Sequence, residues 1–149
     1  MISKKELYNF CENFITERVT RIQKNIQGIQ ESLTSETKSS AGDKHETGRA
    51  MLQLEREKLG QQLAEAEKMQ ELLAKVPLEK NTKKIGLGSL ITTETATYYI
   101  AISAGAYTEK NASVFCISAA TPIGKLLMGK AVGESIVFNG KEIKILSLE

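Results

Sequence analysis

The sequence predicts an α+β protein: an N-terminal antiparallel α-helical coiled-coil hairpin, then a small antiparallel β-sheet domain with one short helix. Three observations point there. Residues 4–76 contain no proline and carry apolar residues at helical spacing. A short polar segment interrupts that spacing in the middle. After Pro77 the pattern changes to strand-like runs that end in an Asn-Gly turn.

The first helix is read from Leu7, Cys11, Ile15, Val19, Ile22, Ile26, Ile29 and Leu33. From Ile15 onward the steps alternate four and three, the seam of a coiled coil. A second run comprises Leu52, Leu59, Leu63, Ala66, Leu73 and Val76, broadened by Met69 and Leu72; Arg56 and Gln70 take slots where the seam prefers apolar groups. Between them, residues 34–46 are polar and small. Two amphipathic helices with a short polar connection fold back on each other. At 1.5 Å per residue, arms of about 30 residues each span about 45 Å. Such a hairpin serves either to reach a distant site or to pair with a second copy, and the spacing alone leaves both open.

The expected organisation is therefore a hairpin over 1–76 with its tip near 42–47, a charged linker over 77–84, and a second domain over 85–149. Pro77 ends the second helix. Strands are expected at Leu90–Thr93, Tyr98–Ile102 and Val114–Ile117, each rich in β-branched or aromatic residues. Pro122–Gly129 reads as a helical turn with proline at its start and Thr121 as N-cap. Glu134–Phe138, Asn139-Gly140 and Lys141–Leu146 form a two-residue hairpin, because Asn-Gly supplies the positive φ angles that turn requires.

Composition removes several function classes. With 20 basic and 18 acidic residues the net charge is +2, which does not suit nucleic-acid binding through a broad positive surface. There is no Trp, and four Phe with four Tyr leave little to line an aromatic pocket. Cys11 and Cys116 sit in apolar patterns as two isolated thiols and read as reduced core residues. His45 is the single histidine, and neither cysteine is near it in sequence, so a Cys/His centre lacks its base. Gly86 and Gly88 precede a strand rather than a helix, which excludes a phosphate loop. A self-contained enzyme is not expected. The polar first fifteen residues and the absence of a long apolar stretch point to a cytoplasmic location without a membrane span.

The tip is different. Gly42-Asp43-Lys44-His45-Glu46-Thr47-Gly48 sets two carboxylates three residues apart, a spacing that lets both face one side of a helix. Asp43 and Glu46 can together hold a Mg²⁺ that keeps its remaining waters. On this spacing alone the plainer reading is favoured, that acids on a first turn complement the helix dipole and need no ligand.

With this tip the chain resembles the bacterial Gre family of transcript-cleavage and elongation factors. That family carries G-D-x-x-E-N-A at the hairpin tip and I-S-x-x-S-P-I-G-x-x-L-x-G-K-x-x-G-D in the second domain. Here the first reads Gly42-Asp43-x-x-Glu46-Thr47-Gly48, and the second runs from Ile117-Ser118 through Thr121-Pro122-Ile123-Gly124 and Gly129-Lys130 to Gly133-Glu134. The resemblance implies an FKBP-like C-terminal domain that docks on RNA polymerase, with the hairpin entering its secondary channel. It implies that Asp43 and Glu46 help hold a Mg²⁺ and a water at the polymerase active site, where the backtracked RNA 3′ end is cleaved by the polymerase. The metal is then shared, is not expected in the free protein, and the factor acts as a monomer. Two departures stand out. Thr47-Gly48-Arg49-Ala50 replaces the family's Asn-Ala and following acidic and aromatic residues, and no Glu-Ala-Asp type loop occurs around Ser103–Thr108. They motivate an alternative, a channel binder that modulates or inhibits polymerase without cleavage. A third reading is a self-associating coiled-coil scaffold. Lys44, His45 and Arg49 are expected to solvate the tip.

Overall fold

A computed structural model describes the backbone of residues 1–38, 43–79 and 82–149; the side chains of 36–45 lie outside the described residues. Two helices come first, α1 (Lys4–Lys38) and α2 (Asp43–Ala74). Strands β1 (Leu90–Thr93), β2 (Thr97–Ile100), β3 (Gly105–Glu109) and β4 (Ala112–Ile117) follow. A short helix α3 (Pro122–Leu127) and the strands β5 (Ser135–Phe138) and β6 (Lys141–Leu148) complete the chain. No described helix is long and apolar enough to cross a membrane.

The chain divides into two compact units, Ile15–Gln70 and a second made of Met1–Phe14 with Glu71–Glu149. The division falls inside both long helices, so the first turns of α1 and the last turn of α2 belong to the sheet unit.

In the hairpin unit the seam is occupied as its spacing requires. Ile15, Val19, Ile22, Leu59 and Ala66 are buried, while Ile26, Ile29, Leu33, Leu52 and Leu63 are half-buried. Antiparallel pairing shows in two cross-helix contacts: Arg18 Nη1 to Met69 Sδ at 3.8 Å, and Arg49 Nη1 to the Leu33 carbonyl at 3.2 Å. Arg56 and Gln70 do stand in the seam, half-buried, and the Arg56 Nε is buried without a hydrogen-bond partner among the described residues.

In the sheet unit the strands lie in the order β3-β4-β2-β1-β6-β5. Four of the five pairings are antiparallel, but β2 and β4 run parallel, so the sheet is mixed where an antiparallel one was expected. The cause is β3, which the sequence reading did not place. It forms a hairpin with β4 and takes the outer edge, so β4 meets β2 in the same direction. Ile91, Ile100, Leu127, Ile136, Ile143 and Ile145, with Ile85, form an aliphatic core between the sheet and α3. On the opposite face Tyr99 and Cys116 are register partners, both buried. The first turns of α1 pack there, with Phe10 set edge-on to Tyr107 at 5.3 Å. The β5–β6 turn has positive φ at both Asn139 (53°) and Gly140 (76°), the geometry its sequence demands.

Candidate functional site

The candidate site is the point where the hairpin turns. α2 opens at Asp43, and Glu46 stands three residues on, in the same first turn and exposed to solvent. The side chains of Asp43, Lys44 and His45, together with residues 39–42, lie outside the described residues. Both acids fall in the first turn of α2, at the positive end of the helix dipole. Carboxylate oxygens suit a hard cation: they can take part of a Mg²⁺ shell and leave the rest to water or a phosphate oxygen. Among the described residues no cluster of three or more His, Cys, Asp or Glu side chains exists that would hold a metal alone.

Arg49 does something the sequence reading did not assign to it. Three residues beyond Glu46, half-buried, it donates to the Leu33 carbonyl on α1 and so ties the two helices beside the tip. With Arg56, one heptad further, it lines a notch of ≈ 350 Å³ that also includes Gln30 and Gln53. Arginine at position 49 therefore belongs to the helix interface as well as to the tip.

The second signature proves to be a set of backbone supports. Thr121 caps α3: its Oγ1 accepts from the Gly124 N–H at 3.1 Å and donates to the Ser118 carbonyl at 2.8 Å. Gly124 is buried against that same carbonyl and hydroxyl, so a side chain has no room there. Gly129 and Gly133 take positive φ angles of 81° and 92°. Their N–H groups donate to the carbonyls of Ile85 and Ile145, joining the loop to the core at both ends. Glu134 closes the segment by accepting from the Ala131 N–H at 2.6 Å. Ser103–Thr108, where the acidic loop was sought, runs into the edge strand β3.

One feature was missed in the sequence. Ser3 and Glu6 form a reciprocal capping box at the start of α1, with Ser3 N to Glu6 Oε2 at 2.7 Å and Glu6 N to Ser3 Oγ at 3.2 Å. The S-x-x-E spacing was there to be read. Cys11 and Cys116 are both free and buried, as their apolar settings in the sequence led one to expect.

No family model matches the chain, and no curated protein does. Among solved structures it is similar to the GreA factor homolog 1 (Gfh1) protein of Thermus thermophilus, at 21% identity over 91% of this chain and 92% of that one, with a TM-score of 0.37. A second structure of the transcription factor Gfh1 gives 20% identity, 90% coverage of both chains and a TM-score of 0.35. At TM-scores this low neither likeness carries weight for activity.

Proposed function

We propose that this chain is a Gre-type elongation factor that binds RNA polymerase and stimulates cleavage of backtracked RNA. The observation that carries the reading is one arrangement. An acidic pair opens α2 at the turn of a long two-helix hairpin, and the sheet unit that follows holds the Ile117–Glu134 signature in a single capped and glycine-locked segment. Asp43 and Glu46 would contribute carboxylate oxygens to a Mg²⁺ within the polymerase, entering through its secondary channel. When bound there, the metal lowers the pKa of a water and neutralises charge on the scissile phosphate. The chain's own part is to position those oxygens; the polymerase cleaves the RNA, and the factor is not itself an enzyme. The setting is cytoplasmic and the acting form a monomer.

A second reading is favoured by the altered tip. Thr47-Gly48-Arg49-Ala50 departs from the family pattern, and Arg49 is committed to the Leu33 carbonyl. A factor of this kind would bind the channel and modulate polymerase without cleavage. Asp43→Ala and Glu46→Ala variants, added singly to a backtracked complex, separate the two. Cleavage that falls at least tenfold in each supports the first reading. Unchanged cleavage in both defeats it, and binding without any cleavage selects the second. Light scattering of the free protein tests the scaffold reading, since a stable dimer would favour it over both.

A further inference from the structure

We propose that Arg49 is a positioning residue of the hairpin tip: its hydrogen bond to the Leu33 carbonyl holds the opening turns of α2 on α1 and so fixes the direction in which Glu46 is presented. The inference rests on the cleavage reading above and adds to it a residue on which the acidic pair depends. All the groups involved lie in the hairpin unit.

The need for a tether follows from the seam. Counting back from Ala66, the seam of α2 steps through Leu63, Leu59, Arg56 and Leu52 by threes and fours, and the next step of three falls on Arg49. Leu52 is half-buried, but before it Thr47 and Ala50 are exposed and Met51 is 66% exposed. Among the described residues, the opening turns of α2 therefore bring no apolar side chain into the seam. A short helical stretch draws its stability from packing rather than from propensity, so these turns need another hold. Arg49 supplies it from the vacant seam slot. Half-buried, it donates from Nη1 to the Leu33 carbonyl at 3.2 Å. A helical carbonyl keeps a second lone pair for such a donor, and the cationic donor makes the bond stronger than a neutral one.

The two arginines of the notch differ in this respect. Arg49 reaches across to α1, whereas the guanidinium of Arg56 lies back along its own helix, where a Cβ added at Gly60 would meet its Nη1 at 3.1 Å. Glu46 stands three residues before Arg49, about 60° round the helix and about 4.5 Å along it. With Arg49 turned into the seam, Glu46 is left beside it on the exposed side. Rotation or fraying of the opening turns would swing that carboxylate away. Groups that must meet a ligand productively have to be held to about 0.5 Å and 10–20°. The Arg49 bond is the contact that resists such a swing.

The test compares the full-length wild type with Arg49→Ala and Arg49→Lys in two readouts. Hydrogen–deuterium exchange of the free protein reads the tether itself. Arg49→Ala should speed exchange of the amides of 46–52 by about tenfold, the order that one charge-assisted bond supplies, and leave those of 59–70 unchanged. Arg49→Lys, which keeps a donor, should fall between. The second readout is RNA cleavage in a backtracked elongation complex over a Mg²⁺ titration. Arg49→Ala should bind polymerase as the wild type does, need several-fold more Mg²⁺ for half-maximal cleavage, and regain the wild-type rate at saturating metal, with Arg49→Lys restoring part of the loss. A merely structural role would instead weaken binding and lower the maximal rate, and that result overturns the proposal. So does unchanged exchange in Arg49→Ala, or faster exchange with an unchanged Mg²⁺ dependence. A wild type that stimulates no cleavage defeats the cleavage reading, and the exchange result then decides the tether alone.

Discussion

Replacing Gly124 with alanine tests how the Ile117–Glu134 segment is held. The added methyl would press on the Ser118 carbonyl oxygen and lie 2.7 Å from Thr121 Oγ1. Neither atom can yield. The carbonyl accepts from both the Thr121 hydroxyl and the Thr121 N–H, and the hydroxyl is the cap of α3. Forcing a methyl into a packed site costs about 1–3 kcal/mol. Loss of the cap adds about 1 kcal/mol. The expected destabilisation is therefore about 2–4 kcal/mol, or about 10–25 °C in Tm for a unit of this size. All four tyrosines fall in the sheet unit, so tyrosine near-UV circular dichroism reports its unfolding separately from the helical signal. Thr121→Ala should cost about 1 kcal/mol and Thr121→Ser much less, because serine keeps the accepting oxygen. A Gly124→Ala loss below about 0.5 kcal/mol would refute this account of the segment, as it would fall within the range of neutral surface changes.

Three further outcomes follow from single contacts. Arg56→Leu should stabilise the hairpin by about 1 kcal/mol in thermal melts at 222 nm, since it removes a buried unpaired Nε from the seam and supplies an apolar side chain; destabilisation would show that the guanidinium has a partner there. Burial and the neighbouring thiols raise the Tyr99 phenol well above its ordinary value. Stability is then level below the ordinary tyrosine pKa of about 10 and falls as pH rises past it, because only the unfolded chain ionises that phenol readily. Tyr99→Phe should lessen this alkaline loss at little cost near neutrality, and an unchanged alkaline limit would count against it. Gly140→Ala places a side chain at φ 76° and should cost about 1 kcal/mol in the same near-UV melts, with a neutral result indicating that the turn relaxes to another type.

Much of the fold was legible because it rests on local signals. The four-three spacing from Ile15 to Leu33 located α1, and even the exceptions Arg56 and Gln70 were placed in the seam they interrupt. Asn139-Gly140 fixed the β5–β6 hairpin through backbone conformation alone. Strand β3 was not legible, since Gly105-Ala106-Tyr107-Thr108 lies at a sheet edge and is mostly exposed, leaving no clear alternation. With β3 unseen, the parallel β2–β4 pairing could not be foreseen. Of the candidate site, the D-x-x-E spacing put positions 43 and 46 on one helical turn, and α2 does open at Asp43. The cross-helix bond of Arg49 and the edge position of β3 were not legible, because each depends on which helix face or strand edge meets another. Those are properties of tertiary packing, and no short sequence window contains them.

The central claim is that the tip acids bring a metal to a cleavage reaction carried out by the polymerase. It is tested most directly by the Mg²⁺ dependence of RNA cleavage in a backtracked elongation complex with 3′-labelled RNA, measured alone, with the wild-type protein, and with the Asp43→Ala/Glu46→Ala double variant. The account expects the wild type to release short 3′ fragments faster and at lower Mg²⁺ than polymerase alone, with the double variant bound but matching polymerase alone. A double variant as active as the wild type, or a wild type that binds and leaves the Mg²⁺ dependence unchanged, would contradict it.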